Sequence, residues 1–171
     1  MDKNSLSPIY LKKLDPSDGR DVYDMLQRIG SCENEFKNTA YGLSFRDFQD
    51  WLKLQYHWSY GVELPNGYVP QTIFWLYVGN VPVGIGKIRH ILTENSREIG
   101  GNIGYAIDPL WRGNGYATIL LHELLREADV LGISEKLLSV EKYNPASKRV
   151  IEKNNGILVY ENEQRWFFSF R

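Results

Sequence analysis

The sequence predicts an α/β (α+β) domain, a mixed sheet with helices packed on it, and three observations carry that prediction. Two apolar, β-rich runs, "TIFWLYV" and "VPVGIGKIRHIL", meet at Gly79-Asn80, which has the chemistry of a two-residue hairpin turn. A strand-like stretch, "IGGNIGYAID", passes through a glycine-rich loop into the most amphipathic segment of the chain. The C-terminal run "ILVYENEQRWFFSF" reads as two strands around a polar turn, with Trp166, Phe168 and Phe170 alternating onto one face. At 171 residues, 43% of them hydrophobic, the chain suits one domain over residues 1–171 with a single core.

The elements follow in order. Residues 8–14, "PIYLKKL", form a short strand ended by the turn-rich "DPSDG". From Arg20 to Gly30, Val22, Met25, Leu26 and Ile29 recur at helical spacing and Gly30 stops the helix. Ser44 caps a second helix, with Asp47 three residues on and Phe45, Phe48, Trp51, Leu52 and Gln55 on one face. Residues 56–71 mix aromatics with Gly and Pro and read as an ordered loop. After the hairpin, "TENSRE" is a polar connection, and the pair Gly100-Gly101 marks a bulge or a close backbone approach. The main helix buries Ala117, Leu120, Leu121, Leu124, Leu125, Ala128 and Leu131, and Gly132 closes it. "KLLSVE" is a strand. Asn144-Pro145 then opens a last helix, whose Val150 and Ile151 bury and which ends at Asn154-Asn155-Gly156.

Composition narrows the function. A net charge of −1 and a pI near 6.3 exclude nucleic-acid binding through bulk positive charge. One cysteine, Cys32, excludes an internal disulfide, and His57, His90 and His122 show no metal-ligand spacing, so no metal is expected. The start "MDKNSLSPIY" lacks a signal peptide and no run has the length of a membrane span, which together point to the cytoplasm. Ser139 and Ser147 have no His and Asp context for a hydrolase.

The stretch "WRGNGYAT", residues 111–118, carries the chemistry. A helix start presents N–H groups without intrahelical partners and about half a positive charge. Gly113 and Gly115 permit positive φ and bring the backbone close to a phosphate, and Arg112 adds a cation with bidentate geometry. A tight β-to-α turn with a surface arginine reads the same residues without a ligand. A P-loop needs Gly-Lys-Ser or Gly-Lys-Thr, which the chain lacks, and a dinucleotide fingerprint needs glycine where Thr118 stands.

Arg112-Gly113-Asn114-Gly115-Tyr116-Ala117 resembles the (Q/R)xxGx(G/A) loop of the GNAT superfamily of N-acetyltransferases, and Asn144-Pro145-Ala146-Ser147 resembles the NxxA/S helix start that follows it. From about residue 73 onward the chain is similar to a bacterial subgroup of predicted acetyltransferases. The resemblance implies the GNAT fold: a twisted, mostly antiparallel mixed sheet of about six or seven strands with about four helices, splayed at the acetyl-coenzyme A site. It implies that acetyl-coenzyme A is the cosubstrate. The N–H groups of Gly113, Asn114, Gly115, Tyr116 and Ala117, together with Arg112, would hold its pyrophosphate. The strand end Tyr105-Ala106-Ile107 would pair with the pantetheine, Asn144 and Ser147 would flank it, and the thioester would lie between residues 102–108 and 137–142.

The reaction so implied is acetyl transfer to a primary amine by direct attack in a ternary complex. A lysine-like amine is mostly protonated at pH 7, so its deprotonation accounts for about 4 to 5 kcal/mol of the barrier. Glu141, three residues before Asn144, is the candidate base, against a reading as a strand carboxylate paired with Lys142 or Lys136. The family often places a tyrosine acid seven residues after the motif asparagine; here Ile151 stands there, leaving Tyr105, Tyr143 or water for that role. Trp51, Tyr56, Trp58, Tyr60 and Tyr68 either cover the acceptor or simply pack, and Glu33, Glu35 and Glu63 either pair with a cationic acceptor or are surface charge. A small-molecule amine is favoured as partner, since no long acidic tract suits a basic protein, and a homodimer is compatible with the reading. A coenzyme A binding regulatory module with little turnover is the competing expectation, prompted by Ile151.

Overall fold

The computed structural model describes residues 7–171; residues 1–6, which the sequence reads as free of a signal peptide, lie outside the described residues. The chain runs β1 (Ile9–Lys13), α1 (Arg20–Ile29), β2 (Cys32–Glu33), β3 (Phe36–Lys37), α2 (Phe45–Ser59), β4 (Gln71–Val78), β5 (Val81–Arg89), α3 (Glu94–Glu98), β6 (Ile103–Ile107), α4 (Tyr116–Val130), β7 (Lys136–Glu141), α5 (Pro145–Lys153), β8 (Ile157–Glu161) and β9 (Arg165–Phe170). A single 3₁₀ turn, Pro109–Trp111, links β6 to the glycine loop.

Two antiparallel sheets result, β1-β4-β5-β6 and β7-β9-β8, with β2-β3 a separate small hairpin. Alternation along the strands sorts side chains into two cores. Ile73, Trp75, Tyr77 and Ile85 face α1 and α2, where Val22, Met25, Leu26, Phe48 and Leu52 are fully buried. Phe74, Leu76, Val83 and Ile88 face the other way and join Leu120, Leu121, Leu124, Val140, Ile151 and Phe168 beneath α4 and α5. The approach of α4 is close: a Cβ on Gly86 would stand 2.5 Å from the Leu124 side chain, so glycine in β5 is what lets the helix settle on the strand.

Among the described residues, one isolated β-bridge joins the two sheets. Gly101 bridges Leu138 with a φ of +74°, and a Cβ there would sit 2.0 Å from the Leu137 carbonyl oxygen. That confirms the close approach expected of the glycine pair. Asn102, 1% exposed, then accepts from the Leu137 N–H at 2.9 Å and donates to the Glu135 carbonyl at 2.8 Å, so its side chain replaces two ladder bonds. Beyond it β6 pairs only with β5, and β7 only with β9.

Five features differ from the sequence reading. Two cores form where one is expected, because the first sheet is covered by helices on both faces. "TENSRE" holds a short helix, α3, because Thr93 and Ser96 form a reciprocal capping box. Residues 56–59 are not loop but the last turn of α2. Residues 32–37 fold into a hairpin too short to leave a periodic signal. Leu131 is not a core residue of α4; it caps the helix and is 36% exposed.

Candidate active site

The glycine loop forms the start of α4. Gly113 and Gly115 have φ of +79° and +81°, conformations that side chains with a Cβ rarely adopt, and a Cβ on either would meet nothing within 4 Å. Gly115 is the N-cap and offers no side chain to the orphan donors. Among the described residues, no protein acceptor takes the backbone N–H of Gly113, Asn114, Gly115, Tyr116 or Ala117. A run of free N–H groups facing open space at a helix start is a fit for an anionic group, and its residues are those the sequence picks out.

The loop is held from behind. Asn114 folds its amide onto the Trp111 and Arg112 carbonyls, each at 3.1 Å, and Tyr116 packs its ring on Trp111. Asp108, wholly buried, accepts from the Leu110 N–H at 3.0 Å and pairs with Arg28 of α1 at 2.8 Å. This carboxylate fixes where β6 ends and the loop begins. Sequence reasoning missed it, because its partner lies 80 residues away. Arg112 is also engaged: its Nε donates to the Ile107 carbonyl at 3.1 Å, and its fork pairs with Glu33 on the small hairpin. It is a cation with a counter-ion already in place, which holds the Glu33 carboxyl below the usual range.

Beside the loop lies the seam between the sheets. Tyr105 and Ser147, separated by 42 residues, share a hydrogen bond at 2.7 Å, and Asn144 caps α5 by accepting from the Ser147 N–H at 3.1 Å. Burial pushes the Tyr105 phenol up to about 12, so it keeps its proton at neutral pH. Tyr105 packs toward the α4 core, while Glu141, next to inward-facing Val140, points to the opposite face. The candidate acid and base therefore lie on opposite faces, Tyr105 on β6 and Glu141 on β7.

Glu141 is not paired with Lys142 or Lys136, which bind Glu161 and Asp129. Its partner is Arg165, 6% exposed, whose guanidinium reaches Glu141 Oε1 at 3.3 Å and Ser139 Oγ at 2.8 Å and also meets Glu35. Glu141 Oε2 is buried with no hydrogen-bond partner, and burial raises the carboxyl above the usual glutamate range. On the same side Lys87 donates to the Lys37 carbonyl at 2.6 Å and lies over Phe36, and burial lowers its ammonium to about 7.

Other candidates fall elsewhere. Trp51 belongs to the α2 core, Trp58 packs with Tyr68 and Tyr56 with Tyr60. Glu33 and Glu35 face arginines of the chain itself, Arg112 and Arg165, and Glu63 lies 3.6 Å from Nδ1 of His57. His90 bonds Thr72 at 2.7 Å. Among the described residues no group of three His, Cys, Asp or Glu could hold a metal, and no helix is long and apolar enough to cross a membrane.

The sequence model of the acetyltransferase (GNAT) family matches residues 29–157. The chain belongs to the GNAT family. No curated protein matches it. Among solved structures, the GNAT fold is shared with the ribosomal L7/L12 α-N-protein acetyltransferase RimL in complex with coenzyme A, at 15% identity and a TM-score of 0.70, covering 98% of this chain and 94% of that one. The ribosomal-protein-S5-alanine acetyltransferase of Vibrio fischeri gives 12% identity and a TM-score of 0.70, covering 95% and 92%. The N-acetyltransferase PseH of Campylobacter jejuni in complex with acetyl coenzyme A gives 14% identity and 0.61, covering 96% and 99%. This GNAT protein is thus an acetyltransferase by class, with the mixed α+β architecture expected of it.

Proposed function

We propose that this GNAT protein transfers the acetyl group of acetyl-coenzyme A to a primary amine of a small molecule, by direct attack in a ternary complex. The observation that carries the reading is the run of free N–H groups from Gly113 to Ala117, lying where the unpaired edge of β6 ends. Acetyl-coenzyme A supplies the acetyl group and a thiolate leaving group. The loop N–H groups would hold its diphosphate, and Arg112 would add charge beside them.

On the free edge of β6 the Ile107 carbonyl is already taken by Arg112, so Tyr105 and the Ile107 N–H are what the strand end offers to an extended chain, as a strand edge does to an added strand. Asn144 and Ser147 line the far side of the seam. Glu141 takes the ammonium proton through Oε2, the buried oxygen that has no other partner. Tyr105, kept protonated by burial and hydrogen-bonded to Ser147, would give its proton to the departing coenzyme A thiolate and regain one from the amine nitrogen as the tetrahedral intermediate collapses to the amide. Ile151, where the resemblance leads one to expect a tyrosine acid, is fully buried, so the last helix contributes no acid at this position.

Thiol release from acetyl-coenzyme A across a panel of small amines tests the proposal. Acceptor-dependent release supports it; tight coenzyme A binding with no release for any amine or peptide would instead favour a regulatory coenzyme A module.

A further inference from the structure

The hairpin β2-β3 has strands of two residues each, too short to be stable alone, and its turn residues Asn34 and Glu35 hold left-handed φ of 48° and 64° without glycine. What holds it is contact with its neighbours: Glu33 pairs with Arg112 at the glycine loop, Lys87 donates to the Lys37 carbonyl, and the rest of the hold is on the seam. Phe36 lies over Gly104 of β6, where a Cβ would come within 3.6 Å of its ring, and Glu35 at the tip reaches Arg165 on β9. The tip is therefore a strap over the face that carries Glu141, and its one ionic hold on the second sheet is Glu35.

Arg165 is a buried cation with three partners of different standing. Ser139 and Glu141 are inner neighbours; Glu35, with 44% of its side chain exposed, is the outer one. Glu35 and Glu141 Oε1 meet the same guanidinium nitrogen, Nη2, so the Glu35 carboxylate sits beside the carboxyl whose Oε2 has no partner. An acceptor arriving from solvent meets Glu35 first, and if that carboxylate leaves, Arg165 loses one of its two carboxylate partners, which frees an N–H of its Nη2 for an incoming acceptor oxygen.

We infer that the acceptor is an amino acid: its carboxylate replaces Glu35 on Arg165, and its amine then falls next to Glu141 Oε2. This rests on the acetyltransferase reading and adds the chemical class of the acceptor. A carboxylate oxygen and Glu141 Oε1 on the same nitrogen are at most about 6 Å apart, so an amine hydrogen-bonded to the other oxygen of the Glu141 carboxyl lies within reach of a short carbon link. With Glu35 in place the cluster of Glu35, Glu141 and Arg165 carries one excess negative charge; with a zwitterion instead it is neutral. The Nη2 N–H that Glu35 vacates donates a charge-assisted hydrogen bond to a carboxylate, and a neutral ester or amide in that place leaves Glu141 as the one charged partner of the buried cation.

The test compares common L-amino acids with their methyl esters as acceptors for the whole chain and acetyl-coenzyme A, reading thiol release as kcat/KM per neutral amine. Free acids should exceed esters at least about tenfold, the size of one lost charge-assisted contact. Arg165→Gln should bring the ratio to about one, and Glu35→Gln, at an exposed tip where folding is not at stake, should raise it several-fold by removing the internal competitor. Esters matching acids in the wild type, or a ratio unmoved in Glu35→Gln, overturns the inference while leaving the acetyltransferase reading intact. If no amine releases thiol, calorimetry of N-acetylglycine and its methylamide against the coenzyme A complex decides: binding of the acid alone, lost in Arg165→Gln, sustains the Arg165 site, and equal binding rejects it.

Discussion

Replacing Gly115 by alanine separates what the glycine does for the fold from what it does for a ligand. At a φ of +81° an alanine costs about 1 kcal/mol in backbone conformation, and since its Cβ meets nothing within 4 Å there is no steric cost to add. For a chain of this size that lowers Tm by about 2–4 °C. Gly132, at the other end of α4, is the internal control, because its φ is +73° and its Cβ position is equally open. Gly115→Ala and Gly132→Ala should therefore melt within a degree or so of each other. They should part in calorimetric titration with coenzyme A. The Gly115 methyl stands among N–H groups that a diphosphate must approach, and losing one or two such charge-assisted hydrogen bonds weakens binding by at least about tenfold. Gly132→Ala should bind as the wild type does. Equal coenzyme A affinity in the two variants, with both folded, would refute the assignment of the loop as the diphosphate site.

Glu141→Gln should lower kcat by about 10²–10⁴ and remove the acidic limb of the pH–rate profile. That limb must lie above the usual glutamate range, because burial raises the Glu141 pKa and only the deprotonated carboxylate accepts the ammonium proton; a limb near 7 that vanishes in Lys87→Met instead would transfer the role to Lys87. Tyr105→Phe should lower kcat by about tenfold or more with coenzyme A affinity unchanged, and a loss confined to affinity would make Tyr105 a packing residue only. Gly101→Ala should destabilise the fold by about 3 kcal/mol or more, since its Cβ would meet a carbonyl oxygen at 2.0 Å, whereas Gly100→Ala at an open position should cost about 1 kcal/mol; thermal unfolding of both checks the difference. Glu33→Gln should tighten coenzyme A binding several-fold at low salt by removing the carboxylate from Arg112, with the gain shrinking at high ionic strength.

What the sequence revealed was local. Gly113 and Gly115 ahead of an amphipathic run, Asn144 ahead of Pro145, and Gly79-Asn80 between two β-rich runs each specify their geometry within a few residues, and all stand as read. Asn102 and Asp108 carry no such signal. Each is a polar residue whose meaning lies in a partner 35 or 80 positions away, so neither spacing nor propensity could disclose it. The same holds for Glu141. Its place on the strand was legible, but its pairing with Arg165 rather than a neighbouring lysine depends on the register of β7 against β9, which brings Glu141 opposite Arg165. The missed helix α3 is different, because Thr93 and Ser96 were visible and only the absence of an apolar face hid them.

The opening between the sheets follows from two residues rather than from any lining side chain. Strands β6 and β7 would continue as neighbours if the backbone at their start allowed it. Gly101, left-handed and in contact with the Leu137 carbonyl, turns the chain there; the Asn102 N–H still donates to the Leu137 carbonyl, but its side chain takes the Leu137 N–H and the Glu135 carbonyl. With a side chain in place of the following backbone groups the ladder stops, so β6 proceeds with one edge free of β7. Asp108 ends that strand with Arg28, and the loop delivers the free N–H groups of α4 to the end of the edge. A free strand edge and a helix start then lie in sequence along one line, which is the layout a long, phosphate-ended acyl carrier requires. Restoring a ladder at 101–102 would close the seam without touching any residue proposed to bind or react.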